Sequence, residues 1–155
     1  MTISIAVETP LQDDVRELVA ALNEYLLPLS PLEFQFKMTV EQMADPGTTL
    51  FVARDAAGRA VGMGALKVET AEMAEVKRMF TRPDVRGQRV GSAILASIER
   101  LAREKGIVEL KLETGEGPGF EPAQRLYGNS GFTRCGAFLD YPDSGYSAFF
   151  EKRLR

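Results

Sequence analysis

The sequence predicts an α/β (α+β) fold built around a mixed β-sheet. Its 155 residues are a usual length for one compact domain. Apolar side chains alternate with polar ones in several short segments, as in strands, and recur at helical spacing in others. Glycine and proline separate these segments. The predicted order is β-α-(α)-β-β-β-α-β-α-β-β, and because no repeat or linker marks a boundary, we expect residues 1–155 to form a single domain.

The N-terminal part is predicted to contain one strand and one long helix. Residues 3–7 alternate as a half-buried strand does. The helix is predicted to begin at Thr9, with Gln12 closing a capping box, and to end before Pro28. A short second helix is predicted from about Thr39. Apolar residues recur along the long helix and predict its buried face: Leu11, Val15, Leu18, Val19, Leu22 and Leu26.

Three strands are predicted in the middle of the chain. Residues 50–53 and 60–66 are two strands around a turn, and residues 71–81 form a third. Successive side chains of a strand point to opposite faces. Strict alternation assigns the third strand's side chains to two faces, with Val76, Arg78 and Phe80 on one and Glu75, Lys77, Met79 and Thr81 on the other.

An amphipathic helix is predicted next, from about Val90 to the stop at Gly106. The strand after it, at residues 107–112, is expected to run parallel to the strand 71–81 because a helix connects the two. A glycine-rich loop then leads to a short helix at residues 122–129. The last two strands are predicted at residues 132–139 and 147–152.

Charge and composition exclude several functions. The formal charge of -3 gives no general attraction to nucleic acid or anionic lipid, so neither is expected as a partner. No apolar run approaches the roughly 18–20 residues that span a bilayer, and the N-terminus does not resemble a signal peptide. Cys135 is the only cysteine, so an intrachain disulfide is excluded and a cytoplasmic location is expected.

The chain contains no histidine. Serine–histidine and cysteine–histidine nucleophile systems and imidazole metal sites are therefore excluded. One cysteine cannot build a four-thiolate zinc site, and no metal cofactor is expected. Acid–base chemistry must come from Glu, Asp, Tyr, Lys, water or the main chain.

Residues 86–91 lie between a strand and a helix and have the features of an anion-binding site. A helix start carries unpaired N–H groups and the positive end of the helix dipole, and glycine lets a phosphate approach the main chain. Arg86 and Arg89 add donors that suit phosphate oxygens. Alternatively, Gly87 and Gly91 only make a tight turn. The spacing matches neither a Walker loop nor the dinucleotide fingerprint.

Two motifs resemble those of the GCN5-related N-acetyltransferases, the GNAT superfamily. Residues 76–95 are similar to its acetyl-CoA-binding signature, and residues 126–132 to its L-Y-x-x-x-G-F segment. The resemblance covers about residues 48–153. It implies a mixed, mostly antiparallel sheet of about seven strands flanked by about four helices. The chain departs from the family at Arg89, where the pattern Q/R-x-x-G-x-G/A has its central glycine, and at Phe120, where an asparagine is frequent.

The resemblance implies acetyl transfer from acetyl-CoA, as cosubstrate, to a primary amine of a small molecule or amino acid. The amine attacks directly and a tetrahedral intermediate forms. A base or a water relay removes the amine proton, and a backbone N–H near Met79 to Thr81 polarises the carbonyl. The residues expected to bind the cosubstrate are Met79, Phe80, Thr81, Arg86, Gly87, Gln88, Arg89, Val90, Gly91, Ser92 and Tyr127.

Two residues are expected to be catalytic. Tyr127 lies at the family's tyrosine position, and a phenol can give its proton to the departing thiolate; otherwise it is a core aromatic. Glu75 is the best candidate base by its placement, although it could instead pair with Lys77 or Arg78. Glu69, Glu72 and Glu113 are weaker candidates for the base. Cys135 lies in a strand pattern and is expected to be a packing residue.

The acceptor amine is not identified by the sequence. In this family the first helices line the acceptor site, so Tyr25, Leu26 and Phe34 are candidate substrate-binding residues. Other functions remain open: an acyl-CoA-binding sensor without turnover, an enzyme that acetylates a protein N-terminus or lysine, or a nucleotide-binding regulator. A homodimer is possible because aromatic residues are frequent near the C-terminus: Phe138, Tyr141, Tyr146, Phe149 and Phe150.

Overall fold

A computed structural model describes residues 2–155 and contains seven strands and four α-helices. The strands are β1 (Ser4–Val7), β2 (Thr48–Arg54), β3 (Ala60–Val68), β4 (Met73–Thr81), β5 (Glu109–Gly115), β6 (Thr133–Cys135) and β7 (Ser147–Arg153). The helices are α1 (Asp13–Leu26), α2 (Val40–Met43), α3 (Val90–Glu104) and α4 (Glu121–Asn129). Single 3₁₀ turns lie at Leu32–Phe34, Pro83–Val85 and Pro118–Phe120. The predicted order of elements is confirmed.

The seven strands form one sheet in the order β1-β2-β3-β4-β5-β7-β6. Among the strands of residues 2–155, β4 and β5 are the one parallel pair, and every other neighbouring pair is antiparallel. The mixed, mostly antiparallel sheet that the sequence predicts is therefore confirmed. No helix in the described part of the chain is long and apolar enough to cross a membrane.

The parallel strands β4 and β5 are paired only at one end. Met73–Glu75 lie beside Glu109–Lys111, and beyond these residues the two strands separate. β7, on the other side of β5, pairs with β5 along its whole length. The edge of β4 from Val76 onward thus faces a gap in the sheet, where its backbone groups have no strand partner.

A β-bulge interrupts β4 next to this gap. The register of β3 against β4 moves so that Gly64 lies opposite both Arg78 and Met79. Arg78 takes the left-handed conformation, with φ 55°. Gly64 permits the close approach, because a Cβ there would overlap the Met79 sulfur. The bulge turns the strand at the gap.

The bulge also changes which face each β4 side chain occupies. Val76 packs in the core beneath α3, whereas Phe80 packs in the opposite core beneath α1. The prediction that Val76, Arg78 and Phe80 share one face is therefore wrong. Strict alternation holds only up to Lys77, because the extra residue shifts the phase of every later side chain.

The two faces of the sheet carry separate cores. α3 buries Ile94 and Ile98 against one face, and α1 with α2 buries Leu18 and Met43 against the other. Full burial of each such side chain contributes about 1.5–3 kcal/mol to folding. The helices are thereby fixed on opposite faces of the sheet.

Helix α1 begins later than predicted. Its N-cap is Gln12, and the helix starts at Asp13. Thr9 instead accepts a hydrogen bond from the Leu11 amide within a turn, and the Gln12 side chain binds Glu8, so neither side chain caps the helix. By contrast, the start of the second helix near Thr39 is confirmed, and its capping box with Gln42 is formed.

Strand β6 is also shorter than the predicted segment 132–139, because the chain leaves the sheet after Cys135. Leu139 is left-handed with φ 50°, and Phe138 turns inward against Tyr141 and Phe149. Most of the aromatic residues that suggested a dimer are thus buried within the chain itself, whereas Tyr146 is exposed. A homodimer stays a prediction.

Candidate active site

A cavity of about 580 Å³ opens at the gap between β4 and β5. α1, the N-terminal end of α3 and α4 complete its walls. It brings together most of the residues that the sequence singles out: Tyr25, Leu26, Phe34, Met79, Phe80, Thr81, Arg86, Gly87, Arg89, Val90, Gly91, Ser92 and Tyr127. Gln88 and Glu75 do not line it.

The first turn of α3 forms one end of the cavity. Its first backbone hydrogen bond runs from Ala93 N–H to Arg89 C=O, so the earlier amides have no partner within the helix. No acidic side chain lies in this first turn, and no side chain caps it. The positive end of the helix dipole is therefore available to an external anion, with Arg86 and Arg89 beside it.

Arg89 occupies the position of the family's central glycine and keeps a glycine-like backbone. Its φ of 62° places it in the left-handed region, which costs a residue with a Cβ about 1–2 kcal/mol. Gly87, two residues earlier, is left-handed as well. The residue that departs from the family pattern thus takes the backbone conformation that glycine adopts most easily.

Gly91 sets the distance between α3 and α4. A Cβ on Gly91 would lie 3.2 Å from a methyl group of Leu126, which is tighter than ordinary contact. Leu126 precedes Tyr127 in α4. The glycine therefore lets α4 lie close to the start of α3 and helps place Tyr127 in the cavity wall.

Tyr127 is 6% exposed and packs against Phe132 and Phe150, with ring centroids 6.0 and 6.1 Å away. Among residues 2–155 its hydroxyl has no hydrogen-bond partner. Burial, together with the carboxylate of Glu113, raises the pKa of Tyr127 above its ordinary value. The phenol stays protonated at neutral pH and can donate a hydrogen bond into the cavity.

Glu113 on β5 lines the same cavity. Its carboxylate accepts a hydrogen bond from Ser147 Oγ at 2.7 Å. Burial raises the pKa of Glu113 to about 7, while the Ser147 hydrogen bond and the positive charge of Lys77 oppose the shift. At neutral pH the carboxyl group is divided between its two protonation states, as suits a general base.

Glu75, the expected base, lies outside the cavity wall and is only 1% exposed. It accepts a hydrogen bond from Tyr141 Oη at 2.8 Å, and Tyr141 Oη in turn accepts one from Lys77 Nζ at 2.7 Å. Burial raises the pKa of Glu75. Glu75 therefore lies in a buried group with Lys77, which is the pairing considered above as the alternative to a role as the base. The other candidates, Glu69 and Glu72, do not line the cavity either.

The register of the sheet is the signal that could have favoured Glu113. Glu75 lies opposite Lys111 in the parallel pair, so two residues further on Glu113 falls beside Lys77. Only beyond the paired residues is a β5 side chain exposed to the gap. A sequence gives the alternation but not the point where two strands separate.

The expected substrate-binding residues close the cavity on the side of α1. Tyr25 Oη donates a hydrogen bond to Gly119 C=O at 2.6 Å, which links α1 to the loop before α4. Phe34 stacks on Tyr146 with ring centroids 5.2 Å apart. Cys135 is not in the cavity wall, and burial raises the pKa of its thiol.

Comparisons with known proteins identify the family. Residues 46–134 match the family model described as an acetyltransferase (GNAT) domain. An IAA acetyltransferase from Azospirillum brasilense is 39% identical over 153 residues, which cover 98% of each chain.

Solved structures agree in fold. One from Klebsiella pneumoniae, described as an acyl-CoA N-acyltransferase, is 29% identical, covers 99% of this chain and 98% of its own, and gives a TM-score of 0.85. The PaiA N-acetyltransferase of Thermoplasma acidophilum, in complex with coenzyme A, is 18% identical, covers 99% of this chain and 100% of its own, and gives 0.78. The family expected from the two sequence motifs is confirmed: the chain belongs to the GNAT family of N-acetyltransferases.

Proposed function

We propose that the protein transfers an acetyl group from acetyl-CoA to the primary amine of a small molecule or amino acid, by direct attack through a tetrahedral intermediate. One observation carries the proposal. A single cavity joins the free amides of the α3 N-terminus to the open edge of β4 and to two groups able to move protons, Glu113 and Tyr127. We take residues 1–155 to act as one domain.

The residues present fit acetyl-CoA, which supplies an acetyl thioester. The amides of Val90, Gly91 and Ser92 and the two flanking arginines suit its diphosphate, since no acidic side chain competes for the first turn of α3. The PaiA structure supports coenzyme A as the ligand of this fold. In β4, the backbone groups of residues 79–81 would lie along the bound thioester and polarise its carbonyl.

Glu113 is proposed as the base in place of Glu75. An alkyl amine is mostly protonated at pH 7 and must lose a proton before it can attack. Glu113 lines the cavity and has a pKa of about 7, whereas Glu75 is held by Tyr141 outside the wall. Glu113 therefore takes the amine proton, directly or through a water molecule.

Tyr127 is proposed to donate a proton to the departing thiolate. Its hydroxyl is protonated at neutral pH and lies in the cavity wall, without a partner among the described residues to hold it. The lone cysteine lies outside the cavity, which favours direct transfer over an acyl-cysteine intermediate.

The test measures binding and turnover separately. Calorimetry with coenzyme A and acetyl-CoA measures binding, and thiol release in a panel of amines measures transfer. Tyr127→Phe is expected to lower kcat by about 100-fold, the lower end of the usual range for a lost acid–base group, with the affinity for coenzyme A unchanged. Tyr146→Phe, an exposed tyrosine that also keeps its ring, is the matched control.

The outcomes separate the alternative functions. If folded protein binds neither coenzyme A nor acetyl-CoA, the proposal fails. Binding without acetylation of any amine would identify a sensor, and acetylation only of a peptide N-terminus or a lysine would replace the small-molecule acceptor. Stabilisation against heat by ATP or GTP, but not by coenzyme A, would favour the nucleotide-binding regulator.

A further inference from the structure

Arg78 is a buried cation without an anionic partner. It is 8% exposed and lies in the cavity wall at the β4 bulge. Its Nη2 donates a hydrogen bond to Asn23 Oδ1 of α1, and its Nε has no hydrogen-bond partner in the described part of the chain. Burial lowers the pKa of Arg78 to about 10, with no acidic group to oppose it. A desolvated guanidinium in this state is costly to the fold.

Basic side chains outnumber acidic ones in the wall of the cavity. Within residues 2–155, Glu113 is the one acidic side chain in its wall, against six basic ones: Lys37, Lys77, Arg78, Arg86, Arg89 and Arg125. Arg86 and Arg89 lie at the α3 end, where the proposed diphosphate binds. Lys77 has Glu75 and Glu113 nearby, and both favour its charged form. Lys37 is only partly buried and Arg125 is exposed, so Arg78 is the buried unbalanced charge next to α1.

We propose that the acceptor carries a carboxylate as well as its amine, and that Arg78 binds this carboxylate. The inference rests on the proposed acetyl transfer and names the substrate class of the same site. A guanidinium matches the planar carboxylate with paired N–H donors. One buried unbalanced cation suits a singly charged carboxylate better than a doubly charged phosphate. With the amine directed to Glu113, the acceptor is an amino acid.

The wall next to Arg78 also indicates the side chain of this amino acid. Four apolar residues of α1 and the loop after it face the cavity: Leu22, Leu26, Phe34 and Phe36. Burying apolar surface against them is favourable. The acceptor class is therefore an amino acid with an aliphatic or aromatic side chain.

The test compares amino acids with the same molecules lacking the carboxylate. Leucine is paired with 3-methylbutylamine, and phenylalanine with 2-phenylethylamine. Calorimetry on protein saturated with coenzyme A measures binding without turnover, and thiol release gives kcat and KM. Each amino acid is expected to bind roughly 10- to 100-fold more tightly than its partner amine, the usual range for hydrogen bonds to a charged group.

Three variants assign the preference to Arg78. Arg78→Gln is expected to abolish the preference by raising KM for the amino acid, with KM for the plain amine little changed. Arg78→Lys keeps the charge without the paired donors. Its preference for the amino acid over the plain amine is expected to lie between that of Arg78→Gln and that of the unaltered protein. Arg100→Gln removes an exposed arginine of α3 as a control and should change nothing. Coenzyme A affinity shows that each variant is folded.

The failures are distinguishable. Three results would overturn the assignment of Arg78: equal binding of amine and amino acid, binding of neither, or a preference that survives Arg78→Gln. If plain amines are acetylated in any of these cases, the proposed acetyl transfer stands. An Arg78-dependent preference in binding without any transfer would instead support the carboxylate site and overturn the proposed reaction.

Discussion

Two arginines of the sheet are surrounded in opposite ways. Arg54, at the end of β2, is 22% exposed and donates to Glu8 at 2.7 and 2.9 Å and to Asp14 at 2.6 Å. It also donates to Gly58 C=O and to the Gln12 side-chain oxygen. The carboxylates of Glu8 and Asp14 raise its pKa. Arg78 is more deeply buried, has one neutral partner and has a lowered pKa.

The difference separates charges that stabilise the fold from charges that bind a ligand. Arg54 ties β2 to the residues before α1 and to α1 itself, so its desolvation is compensated within the chain. The charges of Arg78 and Glu113 are not compensated in the same way, and both side chains line the cavity. The free energy of unfolding should therefore respond oppositely when charges are removed from the two regions.

The largest expected effect concerns Glu113 and pH. Its folded-state pKa of about 7 exceeds its ordinary value of 4.5, so between these values the folded protein binds more protons than the unfolded chain. Stability then falls as pH rises across this interval, by roughly 2–3 kcal/mol. Glu113→Gln, whose amide oxygen still accepts from Ser147, should remove this decline in urea denaturation at pH 5 and 7.5.

Glu109→Gln serves as the control for that experiment. Glu109 lies on the same strand, but its carboxylate contacts Lys111 and Arg153 rather than the cavity. An equal loss of the pH dependence in both variants would contradict the assignment to Glu113.

Arg54→Gln is expected to destabilise the protein by about 2 kcal/mol, because it leaves two partly buried carboxylates without their charged partner. Urea denaturation at pH 7 measures this loss of stability. Arg59→Gln is the matched control: its ion pair with Asp84 is equally short at 2.6 Å but is about half exposed on both sides. Its loss should cost much less stability than the loss of Arg54, because water and salt screen an exposed pair. Equal effects would show that burial does not distinguish the two pairs.

The effect of Arg78→Gln on stability is expected to have the opposite sign to that of Arg54→Gln. Removing an unpartnered buried charge relieves its desolvation, so the free energy of unfolding should rise by up to about 1 kcal/mol. The same variant is expected to lose carboxylate binding. A destabilisation as large as that of Arg54→Gln would mean that Arg78 stabilises the fold.

The smallest effect is expected at Arg89. Glycine there relieves the left-handed conformation, although its greater freedom in the unfolded chain offsets part of the gain, so Arg89→Gly should stabilise by about 0.5 kcal/mol. Loss of one guanidinium should weaken coenzyme A binding slightly. Arg89→Ala, which keeps the strain and also loses the charge, separates the two effects in denaturation and calorimetry.

The sequence was sufficient for the fold but not for the detail of the site. The helical spacing from Val90, the short helix from about Thr39 and the two family motifs are local patterns, and each was interpreted correctly, whereas the capping box expected at Thr9 is not formed. The bulge at Arg78 was missed because it depends on Gly64 of the neighbouring strand, which no pattern within β4 reveals. Strand β6 was overextended because the inward turn of Phe138 depends on the tertiary contacts of its ring.

The proposed exchange of Glu75 for Glu113 has the same origin. Both carboxylates lie on strands at alternating positions, and the sequence gives no indication of which strand end faces open space. The distinction arises where β4 and β5 separate, and separation is a property of two strands together. The unpartnered state of Arg78 is likewise visible only once every neighbour is in place.

The short contact between β4 and β5 has a consequence for the dynamics of the whole chain. Three paired residues on each strand join a four-stranded half of the sheet to a three-stranded half. Cooperative units of a protein separate where few contacts cross between them. A molecule bound in the gap touches both halves, so amide hydrogen exchange in β5 and β7 should slow when acetyl-CoA is added, well beyond the residues in contact with it.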